Sequence, residues 1–61
     1  MRYLIQYWRL ALLEEERTDL ALDDAIKFAD TNMKHHGATT VTIHDTERDI
    51  EVYRLHVTPK S

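Results

Sequence analysis

The chain changes periodicity at its only glycine, Gly37, and that change confines it to folds in which a helix is followed by strands. Before the glycine, Leu22, Ala25, Ile26, Ala29 and Met33 recur at spacings of three and four. Phe28 lies at the margin of this stripe, and Asp23, Asp24, Lys27, Asp30 and Lys34 lie opposite. The pattern predicts an amphipathic helix over about 22–36, with one face buried and one wet. Asp23 and Asp24 in its first turn, and Lys34, His35 and His36 in its last, complement the helix dipole, and Gly37 suits a left-handed cap. Its start is less sharply marked, because Ala21 is a poor N-cap and Thr18 or Asp19 is an alternative start for a preliminary turn.

After Gly37 the β-branched run Thr39-Thr40-Val41-Thr42-Ile43-His44, the polar segment Asp45 to Asp49 and the apolar-polar alternation from Ile50 to Val57 predict a β-hairpin over about 39–57. No Asn-Gly or Asp-Gly pair marks a two-residue turn, so a connection of four or five residues is expected. Two registers stay open. One sets Asp45 opposite Ile50, Ile43 opposite Val52 and Val41 opposite Arg54; the other, shifted by one residue, sets Val41 opposite Tyr53 and Thr39 opposite Leu55. Pro59, beyond the hairpin, is expected to help end the pairing.

The N-terminal segment mixes signals. Tyr3, Ile5, Tyr7 and Trp8 favour a strand, whereas Leu10 to Glu16 taken alone has helix-forming composition. One strand over about 2–12 is expected. The order βαββ then gives an α+β fold: a two-layer sandwich with a three-stranded sheet in spatial order 1-3-2 and one helix on one face. The crossover should be right-handed, with the last strand central and antiparallel to both neighbours. The sheet's second face has no cover in this arrangement. Whether Tyr3, Ile5 and Tyr7 or Leu4, Trp8 and Leu10 point to it, an apolar stripe is expected there, and such a stripe marks an interface.

The 61 residues form a single small domain, expected to be marginal in stability because a chain this short buries only about 60% of its unfolded surface. With no Cys, neither disulfides nor a thiolate zinc site can staple it. No apolar run approaches the ~18 residues of a membrane span, and the N-terminus lacks a signal-peptide pattern, so a cytoplasmic protein is expected.

Chemistry finds few candidates in the sequence. A single glycine is incompatible with glycine-rich phosphate loops and dinucleotide fingerprints, and the only serine is the terminal Ser61. His35 and His36 diverge by about 100° on a helix, His44 and His56 lie at opposite ends of the hairpin, and His44 and Asp45 point to opposite strand faces. No catalytic residue, cofactor or metal site is expected.

Binding is better represented. Between Glu14 and Asp24 six acids stand against Arg17, which concentrates negative charge in a chain whose net charge is −3. Glu14, Glu15, Glu16, Asp19, Asp23 and Asp24 are the expected members of an acidic protein-binding surface, suited to a basic groove. Solvated carboxylates favoured by the helix N-terminus are the plainer reading of the same residues. Tyr3, Tyr7, Trp8 and Tyr53, with Arg9 and Arg54, are the residue types that anchor protein interfaces.

The order of strand, acidic loop, helix of the form Leu22-Asp23-Asp24-Ala25-Ile26-Lys27-Phe28-Ala29, Thr-rich strand and closing strand resembles small proteins of phages and mobile elements, some anti-CRISPR proteins among them. The resemblance implies an inhibitor that acts in the host cytoplasm by binding a defence or nucleic-acid-processing complex, and it carries over no functional residue. Two alternatives stand beside it. One is a structural homo-oligomer, such as a homodimer of open sheet faces; the other is a sheet that stacks single-stranded nucleic acid on Tyr and Trp with Arg2, Arg9 and Arg54 nearby. Direct nucleic-acid binding ranks below protein binding, because eight basic residues are scattered beside the acidic block.

Overall fold

The computed structural model describes residues 2–58, so the Pro59 expectation lies outside the described residues. The chain forms β1 (Tyr3–Arg9), β2 (Ala11–Thr18), α1 (Leu22–His36), β3 (Thr40–Asp45) and β4 (Ile50–His56). The sheet is four-stranded and antiparallel, in the order β2-β1-β3-β4, with α1 against β1 and β3 on one face.

This corrects the expected three-stranded sheet of order 1-3-2. The N-terminal segment is two strands, because the chain reverses at Leu10, whose φ of 67° is left-handed, and Arg9 pairs with Ala11 across it. Nothing in the local composition announces the turn, since Leu is a poor occupant of that region. The helical tendency of Leu12 to Glu16 yields to the open hydrogen-bonding edge of β1, which decides conformation by tertiary pairing. The extra strand also changes the topology. The helix now leaves from β2, so β3 runs parallel to β2 and pairs antiparallel with β1 lying between them. The last strand, expected at the centre, is instead an edge.

The helix forms where its stripe predicts. Ala25, Ala29 and Met33 are buried, Leu22 and Ile26 are partly buried, and Phe28 is exposed. Gly37, at φ 67°, donates its N–H to Lys34 O at 3.3 Å, and Ala38 N–H reaches Met33 O at 3.0 Å, which closes the helix in a Schellman cap. The N-terminus has no side-chain cap at Ala21; Thr18 Oγ1 instead accepts the Leu20 N–H at 3.1 Å in the connection before it.

On the sheet, Tyr3, Ile5 and Tyr7 face the helix and form the core with Val41 and Ile43, which resolves the parity left open by the sequence. The β3–β4 register is neither of the two alternatives throughout. It begins with Asp45 opposite Ile50 and His44 opposite Glu51, then a bulge leaves Val52 unmatched and sets Ile43 opposite Tyr53 and Val41 opposite Leu55. The extra residue turns Tyr53 and Leu55 toward the core, where both pack half-buried. The turn is fastened by buried Asp45, whose Oδ1 accepts the N–H groups of Glu47 at 3.0 Å and Arg48 at 3.3 Å while Oδ2 accepts Arg48 Nε at 3.0 Å. Arg2, just before β1, closes on the same oxygen at 3.5 Å.

Candidate functional site

The face of the sheet away from the helix is not the apolar stripe expected of it. Three rows cross it: Arg17, Leu4, His44 and Glu51; Glu15, Gln6, Thr42 and Arg54; and Leu12, Trp8, Thr40 and His56. Polar side chains fill the spaces around half-buried Leu4 and Trp8. The Trp8 indole donates to Thr42 Oγ1 at 3.3 Å, the Thr42 hydroxyl donates to Gln6 Oε1 at 3.4 Å, and Gln6 Nε2 donates to Glu15 Oε2 at 2.8 Å. Because of the bulge at Val52, Arg54 and Glu51 share this face and pair at 3.0 Å. That pairing lowers the Glu51 pKa and raises that of Arg54.

Exposed apolar side chains are most closely grouped at one end, while Leu20 and Ile50 stand singly at the other and Phe28 on the helix. Leu10 at the β1–β2 turn is fully exposed, Leu12 and Leu13 beside it are exposed, and the bulge of this hairpin falls at Leu13. A groove of about 430 Å³ runs from Leu10 onto the open face, lined by Trp8, Thr39, Thr40, Thr42, Arg54 and His56. Arg9 is exposed next to the tip, and Lys34 and His35 close the helix at the same end, where Thr39 N–H bonds Trp8 O at 2.8 Å. Arg9 and Lys34 thus place positive charge around the leucines, with Glu14 turned to His36 beside Leu13.

The expected site residues are dispersed by the fold. Tyr3 and Tyr7 are core residues and offer no docking surface, and Tyr53 is half-buried on the helix side. Trp8 and Arg54 meet in the groove, with Arg9 at the tip. The acidic residues do not form one surface: strand alternation turns Glu15 to the open face and Glu14 and Glu16 to the helix side. Asp19, Asp23 and Asp24 are exposed at the opposite end of a molecule 38 Å long.

A second constellation appears where β2 overhangs the helix. His36 Nδ1 lies 3.0 Å from Glu14 Oε2, and its Nε2 lies 3.4 Å from Glu16 Oε1. Asn32 Nδ2 donates to Glu16 Oε2 at 3.4 Å. The His36 ring stands over Tyr7, centroids 4.6 Å apart, and the buried Tyr7 hydroxyl has no hydrogen-bond partner. Burial pushes the Tyr7 pKa up to about 12, with Glu16 and Glu14 adding to the rise against an opposing contribution from Asn32. The sequence held the signal in two pieces. Strand alternation across Glu14-Glu15-Glu16 puts two carboxylates on one strand face, and Asn32 and His36 extend the Ala25–Ala29 line of the helix toward them. Reading residues 12–16 as the end of a strand and a loop hid the first piece.

The fold so described is a small α+β domain with one helix on a four-stranded antiparallel sheet. No protein-family model, curated protein or solved structure matches this chain. No helix among the described residues is long and apolar enough to cross a membrane.

Proposed function

We propose that the protein is a protein-binding module that docks by its hairpin tip, with Leu10, Leu12 and Leu13 entering an apolar socket whose rim is acidic. One observation carries this reading: Leu10 holds a left-handed backbone conformation while its whole side chain projects into solvent. That conformation costs an L-residue about 1–2 kcal/mol, which the β1–β2 pairing offsets and a glycine would avoid, while the leucine side chain itself makes no contribution to the core. The acidic rim follows from Arg9 and Lys34 around the tip, and Trp8 in the adjoining groove supplies the aromatic wall common at such contacts.

Occlusion of a basic nucleic-acid channel calls for an acidic docking face. The acids of this chain are split between two sheet faces and the far end, so the narrower inhibitor reading gains no support from the tip. The resemblance behind it also leaves out the β1–β2 hairpin, on which the present reading stands.

Site-specific photo-crosslinking tests the proposal. A crosslinking residue placed at Leu12 should capture one partner chain through an apolar surface with neighbouring acids, and the same residue at Asp49, at the opposite end, should not. Leu10→Asp should abolish capture with an unchanged circular-dichroism spectrum, and added salt should slow association. Capture of its own copies alone, displacement by single-stranded oligonucleotides, or equal capture from both positions overturns the proposal.

A further inference from the structure

We propose that Glu14, Glu16 and His36 form a binding site for a first-row divalent cation of the zinc type. Each residue presents one ligand atom, and the three atoms lie within 4.8 Å of one another. Ligands on a tetrahedral zinc stand roughly 3.3 Å apart, given bond lengths near 2.0–2.2 Å. Glu14 faces Nδ1 and Glu16 faces Nε2 in the metal-free protein, so one glutamate must swing to the nitrogen that the other already faces before the three atoms share an ion. Two carboxylates and an imidazole suit zinc and its neighbours, whereas magnesium prefers oxygen ligands and retains its water.

The surroundings are those of a ligand site as well as of an ion pair. Asn32 holds one oxygen of Glu16 and leaves the other toward the imidazole, which is how outer groups orient metal ligands. Beneath the ring, the Tyr7 hydroxyl is fully buried, lacks a partner and has Glu16, Glu14 and Asn32 as its polar neighbours. A buried hydroxyl of this kind costs free energy unless something engages it. The ligands also come from separate elements: the edge strand supplies both glutamates, and the last turn of α1 supplies the histidine. A bound ion would fasten the outermost strand to the helix.

Titration of the 61-residue protein with zinc chloride, followed by calorimetry, tests the site. Saturable binding at one ion per chain is expected, accompanied by a higher melting temperature, with magnesium chloride giving neither. Cobalt(II) should give visible absorption bands of a four-coordinate ion. His36→Ala and Glu16→Gln should each weaken zinc binding by about tenfold or more, Tyr7→Phe by less, and His35→Ala not at all. Folding of every variant is verified by circular dichroism, and Glu16→Gln, which keeps the amide contact of Asn32 possible, guards against a ligand variant that fails to fold. Absence of saturable zinc binding, or binding that survives both His36→Ala and Glu16→Gln in folded protein, overturns the proposal and leaves the cluster as an ion pair alone.

Discussion

At the level of single residues, two buried polar groups behave in opposite ways. Asp45 is buried yet well provided for. Burial pushes its pKa up, but the Arg48 side chain, the Arg48 and Glu47 N–H groups and the Arg2 charge together pull it below the ordinary carboxylate value. A depressed folded-state pKa adds stability above the unfolded pKa, and that stability is lost as pH falls through the folded value. Melting curves should therefore show wild-type protein losing stability as pH drops below about 4, with Asp45→Asn less stable at pH 7 and flatter across the acid range. Tyr7 is the converse case, a buried hydroxyl with no partner. In metal-free buffer, Tyr7→Phe should raise stability by about 1 kcal/mol in urea denaturation, since it removes an unsatisfied group and keeps the ring. Neither role is visible in the sequence. Asp45 reads there as a turn residue and Tyr7 as an aromatic of unknown parity, because the burial of each and the approach of Arg2 to Asp45 depend on residues distant in sequence.

At the level of elements, the helix was legible and the sheet was partly so. The stripe, the charge distribution and Gly37 together determine α1, because a helix is organised by neighbours three and four residues apart. Its buried face gives a direct check: Ala29→Asp should unfold the domain by burying an unpaired carboxylate, and Asp30→Ala should melt within a few degrees of wild type. The weak N-terminus gives another. Ala21 sits at the cap position without a side-chain bond, so Ala21→Asp should stabilise by about 1 kcal/mol, measured by thermal or urea unfolding. Strands are decided by what lies beside them. The turn at Leu10 uses a residue that no turn preference names, and the bulges at Leu13 and Val52 insert one residue where simple alternation predicts none. The turn accounts for the missed strand and the Val52 bulge for the shifted register, and once β2 exists its plain alternation divides the acids that were expected to share a surface.

At the level of the whole molecule, the closest grouping of exposed leucines and the acids of the helix start lie at opposite ends of the long axis. The tip carries leucines with Arg9 and Lys34 around them, and the far end carries Asp19, Asp23 and Asp24. That polarity could not be read from the composition, since it arises only when β2 folds back along β1 and carries Glu14 and Glu16 under the helix end. The same topology has a consequence for how the chain can be divided. Every strand pairing except one joins consecutive strands; the exception is the seam between β1 and β3, where Tyr3 faces Asp45 and Trp8 faces Thr40. Scission after Gly37 would give a ββα piece and a ββ piece, each retaining its own hairpin, whose missing surfaces are the two sides of that seam and the helix-covered core. The halves therefore constitute a natural split reporter: mixed, they should regain the far-ultraviolet spectrum of the intact domain in proportion to the product of their concentrations, and Ile43→Asp in the shorter piece should silence the reassembly.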